Sequence, residues 1–394
     1  MLKSSVLTLI LFSLCSPAAA GGHKPSAEEK AEAPQATYTL GQIVGPELLA
    51  SLHSGPTGRD SADAPYLGPD GKVNLESARL KAVAGDRHAQ FLLGMFYLSR
   101  KGLVRDPARG LRWLEKAASA GDVNAQTNLG VLYLMGRDVP PNPAKGLHWL
   151  ERSARAGDPK AQTVLGLAYY RGQRVKQDLR LAAQWLGKAA EQGLARAQIL
   201  MGQRLRVGLG VDRNIQEALR WYQKAAKQGS ADAQYALGSV FFHGKDAPRD
   251  DARARFWFEK ATKNGSPQPA NNLAVMYEKG RGVERNYKEA LRLYRIAASK
   301  GIATAQGNIG FMYYHGRGLS ERDFKEALKW FRTAVKADFI PAQRMLGIMY
   351  SKGQGVQKDL DKARYWLSKA ANQGDEQSRR IYETLGGTEH GALE

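Results

Sequence analysis

Apolar and polar positions alternate along this chain on two nested scales. Within Val123 to Tyr133, the residues Ala125, Leu129, Gly130 and Tyr133 are spaced by four, one and three, which places them along one face of an α-helix. A second helical pattern follows, in which Gly146, Trp149 and the small pair Ser153-Ala154 share a face, and Gly157 then stops it. On the longer scale this two-helix unit recurs. The slots equivalent to Ala125 fall at 89, 125, 161, 197, 233, 269, 305 and 342, so the spacing is 36 residues except for a last step of 37. The extra residue lies in the loop 318–321, where an insertion costs little.

The seven tryptophans obey the same period. Trp113, Trp149, Trp185, Trp221 and Trp257 are each 36 residues apart, Leu293 holds the next slot, and Trp330 and Trp366 follow. Recurrence at one phase identifies these rings as packing residues that fill a hole between helix pairs, because a ligand-stacking residue has no reason to follow the packing period. Glycines at 85, 121, 157, 193, 229, 265, 301 and 374 stop the second helices, and Asp338 takes the remaining stop. A left-handed cap there favours Gly, and Asp is among the few tolerated substitutes. The segment from Asn74 to Ala84, closed by Gly85, is a preceding half unit. A fixed period of this length predicts an all-α stacked array in residues 71–387, in which each unit packs on its neighbours, rather than two or three globular domains.

The ends read differently. Lys3, the apolar run Val6 to Leu14 and the small residues Ala18-Ala19-Ala20 form a secretory signal peptide over 1–20, cleaved near Ala20. Cys15 offers a lipoprotein reading, against which stands the bulk of Leu14 just before it. The only Cys leaves with the signal, so the mature chain has no disulfide and no thiolate metal site. Residues 21–70 read as a flexible leader with room for a short helix over 46–53, which either caps the first repeat, the favoured role, or serves as a docking segment, and 388–394 as a tail. No later stretch is long and apolar enough for a transmembrane segment. Export without an anchor predicts a periplasmic or secreted protein.

The formal net charge of +20 is unevenly shared. The leader is net acidic, with Lys24, Lys30 and Arg59 against Glu28, Glu29, Glu32, Glu47, Asp60, Asp63 and Asp70, so the repeats carry all of the excess. Such a body attracts anionic partners. Export argues against nucleic acid as the partner. An acidic leader that folds back on a basic groove until a partner displaces it is a further expectation.

The string "AQTNLGVLYLMGRDV", continued by "AKGLHWLERSARAGDPKAQ", together with "AQYALGSVFFHGK" and "NNLAVMYEKGRGVERNYKEALRLYRIAASKG", resembles the Sel-1-like repeat, a relative of the tetratricopeptide repeat. The resemblance covers residues 74 to about 387 in eight units. It implies a right-handed α-solenoid of antiparallel helix pairs and an adaptor role in protein complexes, in bacteria among exported proteins tied to envelope assembly, exopolysaccharide systems or host contact. Some secreted members staple each unit with a Cys pair, which this chain lacks. Repeat four has Leu205 in the Tyr slot, and repeat six has Pro269-Ala270, Ala274 and Leu293 in place of Ala-Gln, Gly and Trp, which predicts local loosening without a break.

Catalytic constellations are missing from the sequence. The histidines show no metal-ligand spacing, no nucleophile elbow or P-loop occurs, and "GRGVERN" is the family's interhelix loop rather than a phosphate cradle. No cofactor is expected. The resemblance to tetratricopeptide geometry instead implies a concave groove lined by the first helix of each pair. Slots one, four and five after the Leu-Gly glycine, and three and six before it, give an apolar N-terminal end with Met95, Leu98, Thr127, Val131 and Leu134, and an aromatic and cationic surface beyond it. The candidate binding residues are Phe91, Tyr170, Arg171, Arg206, Tyr235, Phe242, His243, Phe311, Tyr314 and His315. Aromatic and Arg side chains are the usual interface anchors. Two functions remain open: a scaffold that holds an acidic protein or peptide segment in the groove, and a binder of an anionic envelope polymer such as peptidoglycan or acidic exopolysaccharide.

Overall fold

The computed structural model describes residues 75–98, 106–136, 139–172 and 174–387. The signal peptide, the leader with its short helix, Cys15, the Asn74 cap and the tail lie outside the described residues. Among the described residues there are 18 α-helices and no strands. They belong to two units, which divide between Gln228 and Gly229.

The N-terminal unit opens with α1 (Leu75–Val83). Four helix pairs follow: α2 (Arg87–Leu98) with α3 (Pro107–Ser119), α4 (Val123–Met135) with α5 (Pro143–Arg155), α6 (Pro159–Arg171) with α7 (Leu179–Glu191), and α8 (Ala195–Val207) with α9 (Ile215–Lys227). The C-terminal unit has α10 (Ala231–His243) with α11 (Asp251–Lys263), α12 (Gln268–Lys279) with α13 (Tyr287–Ala298), α14 (Ala303–His315) with α15 (Phe324–Ala334), α16 (Ile340–Lys352) with α17 (Leu360–Asn372), and a closing α18 (Glu376–Thr384). Within each unit every helix packs on the next, so the pairs stack as a solenoid. The first helix of each pair is termed A and the second B. Repeat six is continuous through α12 despite its substituted slots.

Local chemistry fixes where each helix starts and stops. Every B helix is capped by an Asp or Asn side chain that accepts an amide near the helix start, as Asp106 does from the Arg109 N–H at 2.9 Å and Asn286 from Glu289 at 3.0 Å. The amide of the capping residue donates to the carbonyl of the Tyr slot of its own A helix, Asn142 to Tyr133 and Asp178 to Tyr169. Asp323 makes the same bond to Tyr313, so the inserted loop residue leaves the joint intact. At the substituted stop, Asp338 takes φ 53°, the left-handed conformation that Gly157 adopts at 96°.

Packing within a pair turns on the Leu-Gly glycine and one large residue. A Cβ on Gly130 would lie 2.5 Å from Leu150 Cγ and 2.9 Å from the Gly146 carbonyl oxygen, so only hydrogen allows the two helices this close. Leu150 has no exposed surface, and Leu114, Leu186, Tyr222, Phe258, Tyr294, Phe331 and Leu367 are its buried equivalents. This corrects the expectation for tryptophan. The plug between helices is the residue after each Trp, while Trp113, Trp149, Trp185, Trp257, Trp330 and Trp366 are half-buried, and only Trp221 is buried. Six of the seven indoles lie under a cation three residues on: Lys116 over Trp113 at 4.7 Å, Lys188 over Trp185 at 4.6 Å, Lys224 over Trp221 at 4.1 Å, with Arg152, Lys260 and Lys369 over Trp149, Trp257 and Trp366, whereas Thr333 holds that position after Trp330.

Successive repeats are joined by the Gln of the Ala-Gln slot. Gln126 Nε2 donates to the Ala118 carbonyl of the preceding B helix at 3.0 Å, and Gln162 does the same to Ala154 at 3.0 Å. Gln162 Oε1 in turn accepts from Gln192 Nε2 at 2.8 Å. These amides are buried, so each satisfies a helix-terminal carbonyl that water cannot reach. A second joint runs from the Tyr slot: the Tyr133 hydroxyl donates to Glu115 at 2.7 Å, and burial, then this bond, raises its pKa to about 12.

Candidate partner-binding site

The A helices of each unit form the candidate face, and the structure divides the sequence-derived slots into two groups. Met95, Leu98, Thr127, Val131, Leu134 and Leu167 are buried. Thr127 is tied to Ser153 at 2.7 Å and Asp158 at 2.6 Å. The expected apolar end of the groove is therefore core. Residues 125–134 of α4 are all buried, because the helix is covered by its own B helix and by neighbours on either side.

The aromatic and basic candidate positions retain open surface. In the N-terminal unit Phe91 is half-buried, 6.0 Å from the His88 ring, and packs into the cores of the first two repeats. Tyr170, Arg171 and Arg206 are half-buried farther along the face. The guanidinium of Arg204 lies over the Tyr170 ring at 3.6 Å. Burial holds Arg171 down to about 10; Tyr170 opposes this, and Arg204 and Arg196 add to it.

In the C-terminal unit two aromatic groups stand on the A helices. Tyr235 and Phe242 lean on the buried Phe258 at 5.8 and 5.7 Å, with His243 edge-on to Phe242 at 5.0 Å. Burial raises the Tyr235 pKa. Arg281 covers Phe242 at 4.0 Å, donates to its carbonyl at 2.8 Å and pairs with Asp251 at 2.7 Å. Phe311 rests on the buried Phe331 at 5.2 Å, and His315 stacks on Phe311 at 6.5 Å. The Tyr314 hydroxyl donates to Gln354 at 2.9 Å. Burial and then Arg317 and Arg322 lower the His315 pKa, so the ring is neutral near pH 7. His243 and His315 are the exposed members of the set.

Phe91, Phe242 and Phe311 thus serve partly as lids on the core, a duty their slots did not announce. Sequence reasoning passed over Arg204, which sits in a packing slot. The signal was present: the residue two after the Leu-Gly glycine is Phe96, Leu132, Ala168, Val240, Met276, Met312 or Met349 in the other repeats.

Away from this face, Lys288, Leu291, Arg292, Arg295, Ile296, Ser299 and Gly318 line an open depression of about 540 Å³ against α13. Its arginines are already engaged, Arg292 by Glu289 at 2.6 Å and Arg295 by the Tyr313 hydroxyl at 2.8 Å. Among the described residues no cluster of three or more His, Cys, Asp or Glu is placed to hold a metal ion, and no helix is long and apolar enough to cross a membrane.

Stacked antiparallel helix pairs of this kind define an α-solenoid repeat protein. The Sel1 repeat model matches residues 87–122, 123–158, 159–194, 195–230, 231–266, 270–302, 303–339 and 340–375, and the chain belongs to the Sel1 repeat family. Proteins of this family are protein-interaction scaffolds, and the fold is typically non-catalytic. The chain is similar to the crystal structure of a protective antigen present in uropathogenic Escherichia coli strains and displaying an SLR fold, at 32% identity and a TM-score of 0.72, covering 81% of this chain and 69% of that one. It is also similar to a Sel1 repeat protein from Oxalobacter formigenes, at 30% identity and a TM-score of 0.64, covering 86% of this chain and 99% of that one. A comparison with curated proteins gives no match.

Proposed function

We propose that this protein is an exported, non-catalytic scaffold that holds a partner protein or peptide against the A-helix faces of its repeats, in envelope assembly or host contact. The observation that carries this reading is the open remainder of those faces. Once the core slots are removed, Tyr170, Arg171 and Arg206 in one unit, and Tyr235, Phe242, His243, Phe311, Tyr314 and His315 in the other, are rigidly backed aromatics and cations with accessible surface. Rigid aromatic anchors give contact area at low entropy cost. The net charge favours an acidic segment, and the sequence of residues 1–20 supports export. The description of a relative as a protective antigen accords with a host-facing location.

Site-specific photocrosslinking tests the face. A crosslinking residue at His243 or His315 is expected to capture one defined protein from envelope or culture fractions, whereas the same residue at Tyr365, exposed on a B helix, does not. Equal capture from Tyr365 defeats the assignment of the face. The charge also supports a second reading, recognition of an anionic envelope polymer. Retention of wall or polysaccharide material alone, released by salt and unaffected by Tyr314→Ala, would select it.

A further inference from the structure

The repeat is violated three times at one place on the C-terminal unit. The slot three residues after Trp is a cation in six repeats, Lys116, Arg152, Lys188, Lys224, Lys260 and Lys369, but repeat six has Ile296 there. The slot that is Glu115, Glu151 and Glu259 in other repeats is Arg295 in this one. The inserted residue of the array falls in the loop 318–321. Ile296, Arg295 and Gly318 all line the same open depression of about 540 Å³, together with Lys288, Leu291 and Arg292.

The joint between repeats does not require this charge. The Tyr133 and Tyr169 hydroxyls donate to Glu115 at 2.7 Å and to Glu151 at 3.1 Å. At the equivalent point Arg295 donates to the Tyr313 hydroxyl at 2.8 Å, so the phenol accepts instead of donating and the contact is kept with the opposite sign. Either sign serves the packing, and the choice of Arg leaves a surplus of positive charge beside the depression. Arg292 is matched by Glu289 at 2.6 Å, whereas Arg295 has a neutral phenol as its partner, and among the described residues no carboxylate pairs with it or with Lys288. Between these cations the helix flank is apolar, with Leu291 buried and Ile296 half-buried. A cation at position 296 would cover no indole, since Leu293 holds the Trp slot, so the position is released from its usual duty.

We propose that this depression is a second docking site, for an acidic peptide segment of a partner that carries apolar side chains among its carboxylates. The carboxylates pair with Lys288 and Arg295, two helical turns apart on one flank of α13, and the apolar side chains cover Ile296 and the edge of Leu291. The volume falls in the range of sites that receive a few side chains. A uniformly hydrophilic anionic polymer would leave the apolar floor wet, and a flat anionic membrane would meet the rim and leave the floor uncovered. The site is built on a B helix and the loop after α14, apart from the A-helix aromatics, so it gives the scaffold a second point of attachment.

The test titrates the full chain by calorimetry with a capped hexapeptide in which two leucines are flanked on each side by two glutamates. Its comparison probes are the same peptide with serine for leucine, the same peptide with glutamine for glutamate, polygalacturonate, and phosphatidylglycerol vesicles. A benzophenone-tagged copy, mapped by mass spectrometry, is expected to attach within Tyr287–Ala298 or the loop 316–323. Arg295→Glu installs the residue of repeats one and two and keeps a joint with Tyr313, so it is expected to weaken binding about tenfold while the unfolding temperature holds. Ile296→Lys separates the site from charge alone. It restores the cation of the other repeats, so attraction by net charge would strengthen binding, whereas loss of the apolar floor is expected to weaken it about fivefold. Arg220→Gln, which removes an exposed charge from α9, changes binding less than about twofold. Absence of binding by the wild type, attachment spread over other helices, tighter binding by Ile296→Lys, equal binding of the serine or glutamine peptide, or a preference for polygalacturonate or vesicles would each overturn the site. Crosslinking from His243 and His315, on A helices, reports on the scaffold reading separately, so either result can fail while the other stands.

Discussion

Replacing Gly130 by Ala sets two known effects against each other. Helix propensity favours Ala over Gly by about 1 kcal/mol at an interior helical position. Against it stands the close approach of α4 and α5. The new Cβ would lie 2.5 Å from Leu150 Cγ and 2.9 Å from the carbonyl oxygen of Gly146, where ordinary contact needs about 3.5–4 Å. Neither neighbour can withdraw easily, since one is backbone and the other is the branch point of a side chain with no exposed surface. The helices must separate locally by roughly 1 Å, and overpacking of this kind costs ~1–3 kcal/mol. With the contact at the severe end of that range, the net effect is a loss of about 2 kcal/mol. Stacked repeats need not unfold in a single step, so the assay is amide hydrogen exchange resolved to α4 and α5 rather than a global midpoint. Faster exchange confined to repeats one to three is the expected result. Slower exchange in α4 would mean that propensity wins, and would refute the account of why Gly recurs there. Repeat six supplies the converse: Ala274 already occupies the slot opposite Tyr294, so Ala274→Gly loses propensity and a buried methyl, and also destabilises, by roughly 1–2 kcal/mol.

Gln162→Leu removes the 3.0 Å side-chain donor to the Ala154 carbonyl, which keeps the Gly157 amide at 3.1 Å, and the acceptor of the exposed Gln192 amide, and is expected to cost about 1 kcal/mol, read as raised exchange at the junction of α5 and α6. Asp251 is held down to about 2, first by its hydrogen bonds from Arg249 and then by Arg281. A depressed carboxylate contributes stability above its unfolded pKa of about 3.9 and loses it as pH falls through the folded value, so Asp251→Asn should flatten the decline in stability between about pH 4 and 2 in acid titrations of the unfolding midpoint. Asp338→Gly removes a side chain from a φ of 53° and gives up an ion pair with Lys369 in which Asp338 is largely exposed, so it is expected to stabilise by up to about 1 kcal/mol in urea unfolding; a clear loss would show that the Asp338 contacts outweigh backbone strain.

The repeat period, the boundaries of the pairs and the stop at Asp338 were legible because each is imposed by backbone geometry or by the mating of two helices, and each therefore leaves the same residue type at the same phase. The role of Trp was misjudged for a related reason. Trp is conspicuous by identity, whereas the plug beside it varies among Leu, Tyr and Phe and is recognised only by its position against the Leu-Gly glycine. The N-terminal part of the face was misjudged because α4 is covered almost all round, so its sequence carries no apolar stripe that distinguishes an inner from an outer side. Export, the leader and its fold-back on the groove concern residues outside those described.

The same logic explains why a binding site in a repeat protein is best sought where the repeat is violated. Slots that pack are forced toward one residue type by neighbours present in every unit, and Ala125, Gly130 and Leu150 have close equivalents throughout. Slots facing solvent vary freely, so variation alone separates a binding residue from an idle one poorly: the slot four after the Leu-Gly glycine holds Tyr170, Arg206, Phe242 and Tyr314, yet Phe242 is partly a lid on Phe258. A charged residue in a slot that packs is a different kind of signal. Arg204 stands in the slot that Met276, Met312 and Met349 fill in other repeats, and its guanidinium lies over the Tyr170 ring at 3.6 Å. Its neighbour Arg171, on the adjoining A helix, has a buried donor and positive company. Two arginines at one point of the array therefore mark the third and fourth repeats as a part of the A-helix face where packing alone does not dictate the residue type.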